Sequence, residues 1–208
     1  MDAREQLIDT TRRLLWERGY VGTSPKAIQQ RSGVGQGSMY HHFAGKAGLA
    51  LAAIERSAAE KRAAIEALLS QPGSAVERLS SYLSSDRDVL AGCPIGRLTQ
   101  DPVIFAEPEL RRPVEELFDW VVQRLARVIE EGQRDEEIDP SLDPGNTAAL
   151  IVSALQGGYV LARASASRSP FDRSMAGLIG LIRCSAKKKI KRKTKHKGGA
   201  DTRARARA

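Results

Sequence analysis

The residues from Ser24 to Phe43 constrain this chain more than any other stretch. Pro25-Lys-Ala-Ile-Gln-Gln-Arg-Ser32 reads as a short helix, with Ser24 as N-cap and a proline in the first position, where its missing N–H costs nothing. Gly33-Val34-Gly35 breaks the chain, and Gln36 to about His42 reads as a second short helix. Two short helices around a tight, glycine-containing turn make a helix-turn-helix. Ala27 and Ile28 face inward on the first helix and Val34 plugs the turn. Met39 and Phe43, four residues apart, share the buried side of the second helix. Gln36, Gly37, Ser38, Tyr40 and His41 are left on the other side. Small and hydrogen-bonding residues at a helix N-terminus suit phosphate, and in a major groove they reach base edges.

The rest of the chain has to carry this motif, and it too reads as helix. Ala3, Leu7, Leu14 and Leu15 form one stripe over 3–18, with Gly19 as the stop. A long helix follows over about 46–69, ended by Gln71-Pro72-Gly73. Ser74 opens a segment to about Leu90, and a short piece follows Gly92-Cys93-Pro94 at 95–100. Residues 109–133 form a strongly amphipathic helix. Asp143-Pro144 opens another over 144–164, Ser169-Pro170 breaks the chain, and 172–184 is the last helix. The expected fold class is all-α, with about nine helices and no strand. The apolar run 147–162 is shorter than the roughly 20 residues that span a bilayer and contains Gln156, so a buried or interface helix is expected rather than a membrane segment.

The net charge of +8 has three unlike parts. Residues 183–208 hold 12 Lys/Arg against one Asp; residues 1–46 hold 7 basic and 4 acidic side chains; residues 47–182 hold 14 basic and 20 acidic. A mildly basic head, an acidic body and a basic tail are therefore expected, and the run 187–197 predicts a solvated, disordered extension. Such a tail adds nonspecific DNA affinity through counterion release or has no dedicated role. The polar N-terminus lacks a signal-peptide pattern, so a cytoplasmic protein is expected. Cys93 and Cys184 form no C-x-x-C pair, which argues against a disulfide framework or zinc ribbon. His41 and His42 are adjacent and point about 100° apart on a helix, which argues against a metal pair. No nucleophile–base–acid set or cofactor loop is present, so neither an enzyme nor a cofactor is expected.

The segment Gly22-Thr23-Ser24, Ile28, Gly33-Val34, Gly37-Ser38-Met39-Tyr40-His41-His42-Phe43, Lys46 and Leu49 resembles the DNA-binding signature of the TetR family. The resemblance covers about residues 3–50. It implies that Thr23 and Ser24 hold phosphate and that Gln36, Ser38 and His41 face bases. It further implies that Tyr40 and His42 contact the DNA backbone and that Lys46 places its ammonium on a phosphate. Lys26 and Gly37 complete the DNA-binding set. Pro25 departs from the family's usual residue and removes one N–H that could touch phosphate. The resemblance divides the chain into a DNA-binding domain at 1–46, a ligand-binding and dimerisation domain at 47–184 and a basic tail at 185–208.

It also implies a homodimer on palindromic double-stranded operator DNA, built by the last two helices of each subunit. The interface set is Leu150, Ser153, Ala154, Gly157, Leu161, Met175, Leu178, Ile179 and Ile182, with Gly157 and Gly158 allowing close approach. The middle helices would enclose a pocket for a small-molecule effector of unknown identity, with Tyr82, Cys93, Phe105, Phe118, Trp120, Val121 and Tyr159 as lining candidates. Gly92-Cys93-Pro94-Ile95-Gly96 resembles a segment in a subgroup related to regulators of multidrug-resistance genes. The resulting expectation is a repressor released by a ligand that shifts the long helix like a lever. A ligand-independent or activating DNA-binding regulator and a nonspecific nucleoid-associated protein stay open as alternatives.

Overall fold

The computed structural model describes residues 2–197. Its elements are α1 (Ala3–Arg18), α2 (Pro25–Ser32), α3 (Gln36–His42), α4 (Gly45–Leu69), α5 (Ala75–Ser84), a 3-10 turn (Gly96–Gln100), α6 (Pro102–Ala106), α7 (Pro108–Arg134), α8 (Pro144–Ala164) and α9 (Ser169–Lys197). There is no strand among the described residues.

The head is α1, α2, α3 and the first turns of α4. Gly19 ends α1 at φ 72°, donating its N–H to Leu15 O. Ser24 caps α2 by accepting from Ala27 N at 3.1 Å, and Gly33 ends it in the left-handed conformation at φ 73°, where a Cβ is disfavoured. Leu7, Ile8, Leu14, Ile28, Val34, Met39, Phe43 and Leu49 close into one core. Fully burying an aliphatic side chain of this size contributes roughly 1.5–3 kcal/mol, so this cluster holds the motif together.

A second core fills the body, drawing Leu15 from α1, Ala50, Ala53, Ile54, Ile65 and Leu69 from α4, and the inner faces of α5 and α7 to α9. The two cores meet inside α4. Leu49 lies in the head core and Ala50 in the body core, so the expected boundary at 46/47 falls one turn short of the seam.

Several boundaries differ from the periodicity reading. α5 opens at Ser74 with a full capping box to Glu77 but stops at Ser84 rather than near Leu90. The Arg87 guanidinium turns back onto the carbonyls of Leu83, Ser85 and Tyr82, capping the last turn of α5. α6 was not expected. It is nucleated by Asp101, whose carboxylate accepts from Val103 N and Ile104 N, followed by Pro102 at the first position. α9 starts at Ser169, so Pro170 lies in its first turn instead of breaking the chain before it, and it runs past the expected end at 184 to Lys197. The disorder expected for 187–197 is therefore replaced by helix, and residues 198–208 of the tail lie outside the described residues.

α8 has 21 residues and is long and apolar enough to cross a membrane by length and composition alone. Packing accounts for one face of it: Ala148, Ile151, Val152, Leu155, Gly158, Tyr159 and Ala162 are buried within the subunit, whereas Leu150, Val160 and Leu161 are exposed. Gly158 is needed there, because a Cβ would lie 3.0 Å from Phe171 Cδ2 on α9.

Candidate nucleic-acid interface and sensor cleft

Helix α3 turns one side into the head core and the other to solvent. Met39 and Phe43 are buried, whereas Gln36, Gly37, Tyr40 and His41 are exposed and Ser38 and His42 are half-buried. The rings of His41 and His42 stand edge to face with centroids 5.0 Å apart. Ser24 and Lys26 are exposed at the start of α2. Arg31 at its far end grips Glu17 of α1 through two hydrogen bonds of 2.5 and 2.7 Å. That grip holds the Glu17 carboxyl below its usual range and ties α2 to α1.

Thr23 corrects the sequence reading. It is 1% exposed, and its hydroxyl donates to Gly19 O at 2.7 Å. Its N–H is bonded to Tyr20 O, so the residue closes the α1–α2 corner and has no free group for a phosphate. Lys46 stands at the start of α4 with its ammonium 3.9 Å from the centroid of the Tyr20 ring. Burial pushes this lysine below its ordinary pKa, against the pull of Asp101. The ring holds the charge at the head's edge by a cation–π contact.

Behind this corner the body grips the head. Asp101 is 7% exposed, and all its acceptor capacity faces backbone. One oxygen accepts from Tyr20 N at 2.7 Å and Val21 N at 3.0 Å, and the other caps α6. Gly19 admits this approach, since a Cβ there would come within 2.8 Å of Asp101 Oδ2. Arg97 donates to Trp16 O and Glu17 O at the end of α1, and Trp16 Nε1 returns a bond to Gly92 O at 3.0 Å.

The same 92–102 segment walls an open cleft of about 970 Å³, completed by Arg18, Phe118 and α8 residues from Val152 to Arg163. Of the expected pocket residues, Cys93, Phe118 and Tyr159 line it. Tyr82 and Val121 do not; both are buried in the body core, where burial pushes the Tyr82 phenol up to about 12. Trp120 is also outside it, stacked under Arg62 at 5.1 Å. Phe105 is 68% exposed and borders a separate depression of about 220 Å³ that shares Thr99 and Phe118 with the cleft. Sequence reasoning missed Arg97, Asp101, Gln156 and Arg163 in the cleft. Asp101-Pro102 carries the same cap-plus-proline signature as Asp143-Pro144 and could have been found by it.

The expected interface residues divide in two. Leu150, Ser153 and Leu161 are exposed, and Gly157 faces open space. Ala154 and Ile179 are half-buried against the subunit's own core. Met175, Leu178 and Ile182 are buried within the subunit and are corrected to core. The outward face of α9 is carried instead by Gly177, Gly180 and Leu181, the last 68% exposed.

Comparison with known proteins agrees with this arrangement. The model of the bacterial regulatory proteins, tetR family, matches residues 7–53, and that of the tetracyclin repressor-like C-terminal domain matches residues 73–178. The chain is 24% identical over 188 residues to the HTH-type transcriptional repressor NemR of Escherichia coli, covering 87% of this chain and 94% of that one. It is 24% identical over 172 residues to the HTH-type transcriptional repressor DhaR of a Mycobacterium species, covering 81% and 86%. Among solved structures, a TetR transcriptional regulator from Chloroflexus aurantiacus superposes with a TM-score of 0.80 at 26% identity, covering 86% of this chain and 93% of the other. With its helix-turn-helix head and helical body both matched, the chain belongs to the tetR family of bacterial regulatory proteins and is a DNA-binding regulator of transcription.

Proposed function

We propose that this protein is a cytoplasmic, homodimeric repressor that leaves its palindromic operator when a small molecule enters the cleft between the 92–102 segment and α8. The observation that carries the reading is the two-sidedness of α3: Met39 is fully buried while Gln36, Gly37, Tyr40 and His41 stand outward. A helix anchored on one side and polar on the other is what a major groove admits. In this reading Gln36, Ser38 and His41 face bases, while Ser24, Lys26, Tyr40, His42 and Lys46 hold the DNA backbone. Residues 1–46 form most of the DNA-binding unit and 47–184 the sensing and dimerising one. NemR and DhaR are transcriptional repressors by name, which supports repression over activation.

Dimerisation is proposed through the exposed stripe Leu150, Ser153, Ala154, Gly157 and Leu161 on α8, together with Gly177, Gly180 and Leu181 on α9. Open glycines on both helices let two such pairs approach closely. Dimers place two recognition helices about 34 Å apart, one turn of DNA. The test is selection of genomic fragments by the purified full chain at physiological salt. An enriched palindrome, released when effector is added, is the expected result. Binding to random DNA as tight as to the best fragment would refute a sequence-specific repressor.

A further inference from the structure

We infer that the effector of this cleft is an organic anion, bound by Arg97 and Arg163, and that it acts by drawing Arg97 away from the carbonyl end of α1. The inference rests on reading the cleft as the effector site.

Charge at the cleft is unbalanced. Arg18, Arg97 and Arg163 line it against a single carboxylate, Asp101. Asp101 forms no ion pair with any of the three, since its two oxygens are turned to four backbone N–H groups. Arg163 donates to Leu90 O and Ala91 O, and Arg97 to Trp16 O and Glu17 O, so both guanidiniums rest on neutral carbonyls. Gly92 brings their stems together: a Cβ there would lie 3.5 Å from Arg97 Cδ and 3.6 Å from Arg163 Cδ. Two like charges converge with no acid between them. Arg97 is pushed below its ordinary pKa by burial and by Arg163, and the opposite charge of a bound anion works against that shift.

The rest of the cleft sets the other end of the ligand. Cys93, Phe118, Val152, Tyr159 and Val160 give it an apolar wall. The matching ligand has one acid group, carboxylate or phosphate, and an apolar body. Guanidinium matches either acid bidentately and gains an opposite charge that a neutral carbonyl lacks. A ligand acid therefore competes directly for Arg97.

That competition has a mechanical consequence. The last carbonyls of a helix have no partner within it, and a cation there complements the helix dipole. Arg97 supplies that cation to α1 at the corner that leads into α2. Without it, the corner keeps the Asp101 and Trp16 contacts and the packing of Leu15 and Tyr20 on the body core, and the head's angle is less firmly set.

The test uses the full chain and calorimetric titration with four probes: decanoate, decyl phosphate, decanol and decyltrimethylammonium. One or both anions should bind at least about tenfold tighter than decanol, a difference of about 1.4 kcal/mol. Which anion binds tighter identifies the acid. Arg163→Gln and Arg97→Gln should each abolish that preference. If Arg97→Gln fails to fold, Arg163→Gln decides, since Arg163 caps only the 90–91 loop. Hydrogen exchange over residues 16–23 should speed up on saturation with the tighter anion. Equal or tighter binding of decanol or the cation, no binding of any probe, or a preference that survives Arg163→Gln overturns the anion assignment. Unchanged exchange over 16–23 overturns the Arg97 relay. None of these measurements uses DNA, so they stand or fall separately from the operator selection.

Discussion

Replacing Asp101 by Asn should loosen the head from the body without unfolding either. The carboxylate accepts four N–H bonds of 2.7 to 3.3 Å, two at the α1–α2 corner and two at the start of α6. Asparagine has only one acceptor oxygen and is itself a good N-cap, so it should keep the α6 pair. Its NH2 would then confront Tyr20 N and Val21 N, donor against donor. Hydrogen bonds to a charged group are worth about 1.5–3 kcal/mol each, so losing this pair should cost about 3–6 kcal/mol in total. For a chain of this size 1 kcal/mol moves Tm by about 2–4 °C, so Tm should fall by about 6–24 °C. Calorimetry at matched protomer concentration measures the fall, and amide exchange places it. Exchange should accelerate at Tyr20 and Val21 and stay near wild type at Val103 and Ile104. A Tm within about 2 °C of wild type with unchanged exchange at Tyr20 would refute the reasoning.

Alkaline pH offers a test of the body core. Burial raises the Tyr82 phenol from 10.0 to about 12, so the unfolded chain loses this proton first as pH rises. The stability Tyr82 contributes is full below pH 10 and is lost between 10 and about 12. Tyr82→Phe should flatten the fall of Tm across that window, and an unchanged profile would count against a buried neutral phenol. The proposed interface is open to sedimentation: Leu161→Glu combined with Leu181→Glu should give monomers with wild-type circular dichroism, because both side chains are exposed in the isolated subunit. Met175→Ala should instead lower stability by about 2–5 kcal/mol, as a core truncation does. A double glutamate variant that sediments as a dimer would place the interface elsewhere.

The head was legible in the sequence because its signals are local. Ser24, Pro25 and Gly33 punctuate α2, and Met39 and Phe43 fix the phase of α3 through a four-residue spacing. Thr23 was misread because a motif match names a position and not the direction of its hydroxyl. The tertiary corner buries that hydroxyl against Gly19 O. In α9 the apolar residues lie on two faces, and periodicity alone cannot say which meets the subunit's own core. Met175, Leu178 and Ile182 took the inner face, leaving Leu181 and two glycines outside. The end of α5 was invisible for a different reason. It depends on Arg87 folding back over three carbonyls, a long-armed contact with no composition signal. Arg97 and Asp101 were missed because their partners lie about 80 residues away in the chain.

The seam between Leu49 and Ala50 bears on how such regulators can be recombined. A graft that joins a foreign head at residue 46 would leave Leu49 facing a core it did not evolve with, and a cut after Ile54 would carry with it three residues that the body needs. No single crossover separates the two cores cleanly. A functional chimera therefore has to treat the early turns of α4 as shared property, matching both parents at Leu49 to Ile54. It must also bring an acceptor equivalent to Asp101 to meet the new head's corner. Modularity in this chain is set by that six-residue splice rather than by the domain boundary.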